Sequence, residues 1–270
     1  MRIAIAGLGL IGGSMALALK DAHDVRGYDP DAGARAAAAA RGIAVVERLA
    51  ELAPADAVVV ATPLAAVVPT LGSLAPIAGD AVLIEVGSLK SAVAAFAERA
   101  PKRVRIVGVH PMAGSTASGF IAADPALFRG RPFLVVPTAR SDDSAMAVAG
   151  ELGRALGSVP TVCSVSVHDR AMSAVSALPL AAAVALTLTA SRSAGVPLAG
   201  LAGPGLRDAT RLASTPVDLA VPLLRDAAAL REDIAGLRET LAAIERAIGD
   251  DASLRALLDR AREARRELEG

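Results

Sequence analysis

Three short motifs in this sequence contain side chains that could carry chemistry, and one of them contains a histidine that could move a proton. His110 is one of three histidines and follows the apolar run RIVGV, with Pro111 fixing the chain direction behind it. A near-neutral imidazole suits proton transfer, although a structural histidine that bonds a loop carbonyl fits this position equally well. Ser88 follows an earlier apolar run, and Arg211 ends the segment GLRDATR. His110 is the best catalytic candidate, and Ser88 and Arg211 belong to the other two motifs that could carry chemistry.

The other two histidines are weaker candidates. His23 falls in a polar loop between a helix and a strand, and His168, next to Asp169, is expected where a helix begins. The single cysteine, Cys163, cannot form an internal disulfide, which suits a reducing cytoplasm. Its apolar surroundings predict a small buried side chain rather than a nucleophile. We expect no metal site.

A glycine-rich turn close to the N-terminus predicts a dinucleotide site. The run MRIAIAGLGLIGGS places Gly7, Gly9 and Gly12 between an apolar strand and an Ala/Leu/Met helix. Gly7 would permit a tight turn, Gly9 would let the backbone approach a pyrophosphate, and Gly12 would let the helix pack closely. A second strand ends at Asp29, about twenty residues further on, where a carboxylate accepts hydrogen bonds from the ribose 2′-hydroxyl.

This carboxylate favours NAD over NADP, because it would repel a 2′-phosphate. A glycine-rich turn without a ligand is the other interpretation of the same residues. Thr62-Pro63 follows the apolar run AVVVA, at the sheet edge where nucleotides bind in parallel sheets. The expected cofactor-contacting residues are Gly7, Leu8, Gly9, Leu10, Ile11, Gly12, Asp29, Thr62 and Pro63.

Alternating strand and helix patterns would position these residues. Apolar runs such as AVVVA and AVLIEV, separated by helical segments, predict strands covered by helices on both faces. We therefore expect an α/β Rossmann-type doubly wound parallel sheet domain over residues 1–165. Residues 166–270 predict an all-α helical domain for substrate binding and dimerisation. Near the junction and beyond it, the predicted elements are a strand over Thr161–Val165 and helices over Asp169–Ala194 and Leu223–Ile248.

Composition and charge exclude several kinds of partner. The chain has 28 Lys and Arg against 28 Asp and Glu, so we expect neither nucleic acid nor a membrane surface as partner. The uncharged run Ala171–Ala190 has the length of a membrane span, but its alanines, serines and Pro179 favour a buried helix. The apolar N-terminus could suggest a secretory leader, yet its glycines fall on the dinucleotide pattern. A cytoplasmic protein is expected.

Several blocks together point to a known family. The chain contains, in order, AGLGLIGGS, YDP, VGSLK, HPMAGS, FRGRPFLVVP, HDR and GLRDATRLAS. This set resembles the prephenate/arogenate dehydrogenase family of tyrosine biosynthesis over nearly the whole chain. The resemblance implies a Rossmann domain, a helical dimerisation domain and hence a homodimer. It also implies NAD(P)-dependent oxidative decarboxylation of a cyclohexadienol, with prephenate or arogenate as the small-molecule substrate.

The resemblance also implies a role for each candidate residue. His110 would bond the ring 4-hydroxyl and take its proton as hydride leaves the same carbon for the nicotinamide. Ser88 would hydrogen-bond that hydroxyl or His110, and Arg211 would bind a substrate carboxylate through a bidentate pair. Ser115 and Thr116, which follow HPMAG, are expected on the substrate side.

Some positions depart from the family pattern. The family's Ser-His-Leu-Pro-His block is SALPL here, at residues 176–180, so both histidines are absent. Family members often have an acid where this chain has Thr116 and an Asp where it has Glu85, and the usual tryptophan is missing. Because these changes fall near the expected substrate, two alternatives stay open. One is a related dehydrogenase for a modified prephenate, such as an amino-substituted one, or another small acid; the other is a non-catalytic NAD-binding assembly protein.

Overall fold

A computed structural model describes residues 1–114, 117–193, 195, 198 and 200–269 of the chain. The strands are β1 (Arg2–Ala6), β2 (Asp24–Tyr28), β3 (Ala44–Val45), β4 (Ala57–Val60), β5 (Val82–Glu85), β6 (Arg105–Pro111), β7 (Pro132–Pro137) and β8 (Val159–Val162). The α-helices are α1 (Leu10–Leu19), α2 (Ala32–Ala40), α3 (Leu64–Leu74), α4 (Ser91–Arg99), α5 (Asp143–Ala155), α6 (Val165–Met172), α7 (Leu178–Ser193), α8 (Pro204–Thr210), α9 (Val217–Asp226), α10 (Leu230–Ala247) and α11 (Asp251–Glu269). Short 3-10 helices cover Leu49–Leu52, Phe120–Ala122 and Arg211–Ser214, and a π-helical turn covers Ser173–Ala177.

An eight-stranded sheet in the order β3-β2-β1-β4-β5-β6-β7-β8 organises the first part of the chain. Neighbouring strands are parallel except β6 and β7, so the predicted α/β class is confirmed with one antiparallel step. In the described part of the β6–β7 connection the helical structure is the 3-10 turn Phe120–Ala122, and a parallel pair needs a longer crossover. Strands β4 and β5 are fully buried because helices cover both faces.

The register of the central strands brings the candidate residues to one edge. Strands β1, β4, β5 and β6 run parallel, so their carboxyl ends meet at the same side of the sheet. Gly7 follows β1 there, Thr62 follows β4 and Ser88 follows β5, while His110 is the second-last residue of β6. The sheet therefore places the glycine turn and the candidate base on a common edge, as the sequence predicted.

The predicted boundaries where the helical region begins are wrong. The strand expected over Thr161–Val165 is β8 and ends at Val162, because the Ser164 hydroxyl accepts a hydrogen bond from an amide of the next turn and caps α6. The long helix expected from Asp169 begins at Val165 and contains the π-helical turn. Pro179 follows that turn and has no N–H to donate to the preceding turn, which is where helices change their hydrogen-bond pattern.

The helix predicted over Leu223–Ile248 is two helices, α9 and α10. Ala227, between them, has an extended backbone with φ −71° and ψ 97°. Ala227 and Leu230 are both buried in a small cluster with Ala177. The chain bends here so that both side chains reach the same apolar cluster.

The helix that contains the uncharged run Ala171–Ala190 is mostly exposed in the single chain, whereas the sequence predicted a buried helix. Val165–Arg192 is long and apolar enough to cross a membrane by length and composition, and 28% of its apolar window is buried. Ala177, Leu180 and Ala183 are buried, whereas Leu188 is 60% exposed. One face of the helix packs on the chain's own core, and a second apolar face remains exposed. Cys163, too, is only partly buried, and burial raises its pKa.

Candidate active site

The glycine turn between β1 and α1 has the shape of a dinucleotide cradle. A side chain at Gly12 would begin 1.9 Å from the Gly7 carbonyl oxygen, and one at Gly7, where φ is +100°, would begin 2.5 Å from that of Ala61. At Gly9 nothing lies within 4 Å of an added Cβ. Strand and helix are therefore packed too closely for side chains, while the turn is open above Gly9. The first amides of α1 lack helical partners at this opening, as an anion site requires.

Thr62 supplies a second sign of a ligand at this edge. Its hydroxyl is the one buried side-chain polar atom in the described part of the chain without a hydrogen-bond partner. Pro63, the next residue, caps α3 with φ −51°. Since buried polar groups are nearly always paired, the residues present fit a bound dinucleotide.

Asp29 holds the glycine turn through one carboxylate oxygen and its own following residues through the other. One oxygen accepts the amide of Leu8 at 2.8 Å and the other accepts the amide of Asp31 at 2.9 Å. Each oxygen has a further lone pair, so the predicted ribose contact stays available. Because the Leu8 amide bonds Asp29, the amides beside Gly9 without helical partners include those of Leu10 and Ile11 at the start of α1.

Gly9→Ala and Gly12→Ala form a matched pair that tests the cradle. We expect Gly12→Ala to lower the thermal midpoint, because its methyl group has no room against the Gly7 carbonyl. Gly9→Ala should fold normally and weaken NAD binding by about tenfold or more, since its methyl group occupies only the open side of the turn. Scanning fluorimetry and calorimetric titration with NAD measure the two effects. Unchanged NAD affinity in Gly9→Ala would remove the turn from the site.

A buried ion pair shapes the turn after β5. The Lys90 side chain is 1% exposed, and its Nζ donates to Glu85 Oε2 and to the Gly87 carbonyl oxygen, each at 2.6 Å. The other Glu85 oxygen accepts the Gly87 amide. Burial lowers the pKa of Lys90, and the Glu85 carboxylate opposes that shift. The pair fixes the turn in which Ser88 lies half-buried at the sheet edge.

A second imidazole holds the imidazole of His110. His110 Nδ1 lies 3.0 Å from His168 Nε2, and the two rings are inclined by 54°. His168 Nδ1 lies 2.7 Å from Oδ1 of Asp169. The Asp169 carboxylate also accepts the amides of Lys90 and Ser91, at 2.8 Å and 2.9 Å, and the Ser91 hydroxyl. This chain of hydrogen bonds joins α6 to the end of β6 and to the start of α4.

The surroundings set the protonation states of His110 and Asp169, the two ends of this series of hydrogen bonds. Burial lowers the pKa of His110 well below 6.5, and the nearby Lys90 ammonium and His168 add to the shift. Partial burial opposes ionisation of Asp169, but hydrogen bonds from His168, Ser91 and two backbone amides outweigh it and lower its pKa to about 2. At neutral pH the site therefore holds a neutral imidazole at His110 and a carboxylate at Asp169.

The other predicted site residues lie outside this hydrogen-bond chain. Arg211 begins the 3-10 helix that packs beside α7; it is exposed, and its guanidinium pairs with no acidic group among the described residues. Ser115 and Thr116 lie outside the described residues. His23 contacts the amino terminus at 3.4 Å, near the opposite edge of the sheet.

The two positions where the family pattern has histidines are apolar and closed by packing. Ala177 is fully buried against Ala227 and Leu230, and Leu180 is 3% exposed. Packing in the helical core thus takes the place of the two missing imidazoles.

Sequence analysis missed the importance of three residues. His168 and Asp169 were expected only to begin a helix, and Ser91 was not considered. The available signal was the HDR block, which keeps a histidine and an acid together next to the domain junction. Their contact with His110 spans 58 residues, so it becomes visible only in the folded chain.

Two family models match this chain. The model described as prephenate dehydrogenase, nucleotide-binding domain, matches residues 15–161, and that described as prephenate dehydrogenase, dimerization domain, matches residues 164–259. The chain belongs to the prephenate dehydrogenase family. The first match contains His110 and the second contains His168 and Asp169, so the hydrogen-bond chain joins the two domains that define this family.

Relatives within this family are named for different substrates. The prephenate dehydrogenase of Bacillus subtilis (strain 168) is 34% identical over 224 residues, which are 79% of this chain and 60% of that protein. A cyclohexadienyl dehydrogenase of Zymomonas mobilis is 29% identical over 227 residues, 79% of this chain and 76% of that protein. The crystal structure of Synechocystis arogenate dehydrogenase has a TM-score of 0.83 and 26% identity, and covers 99% of this chain and 100% of that one. This chain thus spans about 60% of the length of the B. subtilis relative.

Proposed function

We propose that this protein catalyses the NAD-dependent oxidative decarboxylation of prephenate or arogenate. One observation carries the proposal: a neutral, oriented imidazole at His110 lies on the same sheet edge as the glycine cradle. A base and a dinucleotide on one edge are what hydride transfer from a hydroxyl-bearing carbon needs. Membership of the family narrows the substrate to a cyclohexadienol.

The carboxylate at Asp29 supports NAD as the cofactor rather than NADP. Its oxygens are fixed by the amides of Leu8 and Asp31, so a 2′-phosphate would meet a fixed negative charge. Gly9 and the first amides of α1 would receive the pyrophosphate, and Thr62 would gain a partner. Bound NAD supplies the hydride acceptor.

His110 would act as the base toward the ring 4-hydroxyl. Its free nitrogen, Nε2, would take the hydroxyl proton while hydride leaves the carbon that carries the oxygen, so that a carbonyl forms. The ring carboxylate then departs as CO2, and the electrons of its broken bond complete the aromatic ring. The proton returns from His110 to the oxygen, which becomes a phenol. Aromatisation drives the reaction, so orientation and one modest base are enough.

Ser88 and Arg211 would orient the substrate. Ser88 follows β5 at the same edge as His110, where its hydroxyl would bond the ring hydroxyl or the imidazole. Arg211, exposed and unpaired among the described residues, would bind a substrate carboxylate by two parallel hydrogen bonds. Ser115 and Thr116 stay predicted substrate contacts.

We infer that the helical half forms a homodimer. The chain matches the family's dimerization domain, and large apolar side chains remain exposed on that half. They include Leu188, Val217, Leu241 and Ile244. A second copy of the chain would remove them from water, which the hydrophobic effect favours.

A second candidate is a related dehydrogenase for a modified prephenate. The apolar packing of Ala177 and Leu180, where the family pattern has histidines, favours it. The test of both is one assay: NADH absorbance is followed with prephenate, with arogenate and with an amino-substituted prephenate. Turnover of prephenate or arogenate supports the main proposal, turnover of the substituted compound alone supports the second, and no NADH from any of them contradicts both.

Arg211→Ala should act mainly on KM. A carboxylate clamp binds the ground state and the transition state alike, so its loss weakens substrate binding without slowing the chemical step. Arg207→Ala, four residues earlier on the neighbouring helix turn, is the comparison variant for a general loss of positive charge. Steady-state kinetics with the preferred substrate measure the effect, and an unchanged KM would place Arg211 outside the site.

The pH profile should show an active enzyme at mildly acidic pH. The pKa of His110 is lowered by burial, by Lys90 and by His168, so the base stays neutral until the pH falls well below 6.5. Activity is present above this pKa and is lost as the pH drops through it. We therefore expect the acid limb of kcat/KM below pH 6.5, whereas an acid limb above pH 7 would contradict a buried imidazole base.

A further inference from the structure

The hydrogen bonds that end at His110 have a direction set by their protons. An ionised Asp169 can only accept, so His168 donates to it from Nδ1 across 2.7 Å. With His168 taken as uncharged, its ring carries a single N–H, which leaves Nε2 as an acceptor. His110 must then donate to it from Nδ1 across 3.0 Å. The remaining lone pair of His110 lies at Nε2.

We propose that His168 and Asp169 are positioning residues that hold His110 in the Nδ1–H tautomer and so present its Nε2 lone pair to the substrate hydroxyl. The opposite tautomer would point an N–H at that hydroxyl and could not take its proton. The kinetic consequence rests on the proposed function. The tautomer itself is a property of the protein without substrate.

The carboxylate of Asp169 is fixed well enough to orient both rings. Its Oδ1 accepts from the Lys90 amide and from His168, and its Oδ2 accepts from the amide and the hydroxyl of Ser91. Ser91 begins α4, and the amino end of a helix favours a negative charge. His168 is 1% exposed, so water does not compete for its ring nitrogens. The imidazole of His168 is therefore held in one plane, and it holds His110 in turn.

This arrangement also stabilises the positive charge that His110 gains when it takes the substrate proton. The Lys90 ammonium disfavours a positive charge on His110, whereas Asp169 favours one. When Nε2 takes the substrate proton, the Nδ1–H of His110 bonds more strongly to His168, whose own N–H points to the carboxylate. The charge is stabilised without a second proton moving, as for the orienting acid of a catalytic triad.

Nitrogen NMR of the imidazoles tests the tautomer directly. The chain has three histidines, and a His23→Gln variant leaves only His110 and His168 in a long-range ¹H–¹⁵N spectrum. With NAD bound and at neutral pH, we expect protonated Nδ1 and unprotonated Nε2 in both rings. In His168→Leu, which keeps the volume and removes the acceptor, His110 should shift toward the Nε2–H form. In His168→Gln, whose amide oxygen can accept in place of Nε2, the Nδ1–H form of His110 should persist.

Kinetics of the same variants test the consequence. His168→Leu should lower kcat by roughly 10²-fold, the lower end of a general-base effect, with little change in KM. His168→Gln should recover most of that loss, which a purely structural role for the ring would not predict. Thermal unfolding and NAD titration of each variant establish that it is folded.

The two proposals fail in different ways. Protonated Nε2 on His110 in the wild type, or a His168→Leu variant with unchanged tautomer and kcat, would overturn the positioning role. A wild type with the expected tautomer but no turnover of any cyclohexadienol would overturn the proposed function and leave the tautomer assignment standing.

Discussion

His110→Ala lowers kcat by roughly 10²–10⁴-fold and leaves NAD affinity almost unchanged, as expected for the loss of a general base. The ring contacts His168 and lies at the end of β6, while the glycine cradle follows β1, with β4 and β5 between the two strands. The variant therefore removes the proton acceptor without disturbing the dinucleotide turn. Stopped-flow or steady-state NADH formation gives kcat, and calorimetric titration gives the NAD affinity.

His23→Ala is the matched control for this variant. His23 lies near the amino terminus at the other edge of the sheet, so its loss should leave kcat within about threefold of the wild type. An active His110→Ala enzyme would refute the base assignment. A His110→Ala protein that fails to bind NAD would show that the imidazole supports the cofactor site instead.

Lys90→Met destabilises the folded protein by about 3–5 kcal/mol, because it leaves the buried Glu85 carboxylate without its cation. The methionine keeps the apolar stem, which packs against Gly108, so the loss of charge is the main change. Removing both charges in Glu85→Gln/Lys90→Met should recover part of the stability, since no buried charge then lacks a partner. Urea unfolding followed by circular dichroism measures all three proteins.

A surface pair in the same domain provides the control. Arg48 and Glu51 form an ion pair at 2.6 Å, but the Arg48 side chain is 79% exposed. Arg48→Met should barely move the unfolding midpoint, because water and salt screen an exposed pair. Equal urea midpoints for Lys90→Met and the wild type would mean that the buried ion pair makes no net contribution to the free energy of unfolding.

Local patterns were enough to predict the nucleotide side of this protein. The glycine turn, β1 and α1 follow from neighbouring residues, since a Cβ at Gly7 or Gly12 clashes with adjacent backbone. The same holds for the apolar strands of the sheet, because continuous apolar runs predict strands that are buried on both faces. Asp29 was also found from its spacing, although its bond to the Leu8 amide of the turn was not expected.

Features that depend on distant contacts could not be predicted in this way. The partnership of His110 with His168 needs β6 and α6 to meet, and the break before α10 needs Ala227 to pack on Ala177. The exposure of the helix that contains the uncharged run could not be predicted either. An apolar helix has the same composition whether its own chain or a second copy covers it. Arg211 and the substrate side stay predictions for the same reason.

The most direct test of the proposed reaction is its stoichiometry. Purified protein is incubated with NAD and with prephenate or arogenate, and NADH, CO2 and the aromatic product are quantified together. Oxidative decarboxylation predicts equal amounts of all three, and almost none of them with His110→Ala. NADH without CO2 would indicate simple oxidation of a hydroxy acid, and the absence of NADH with either substrate would contradict the proposed activity.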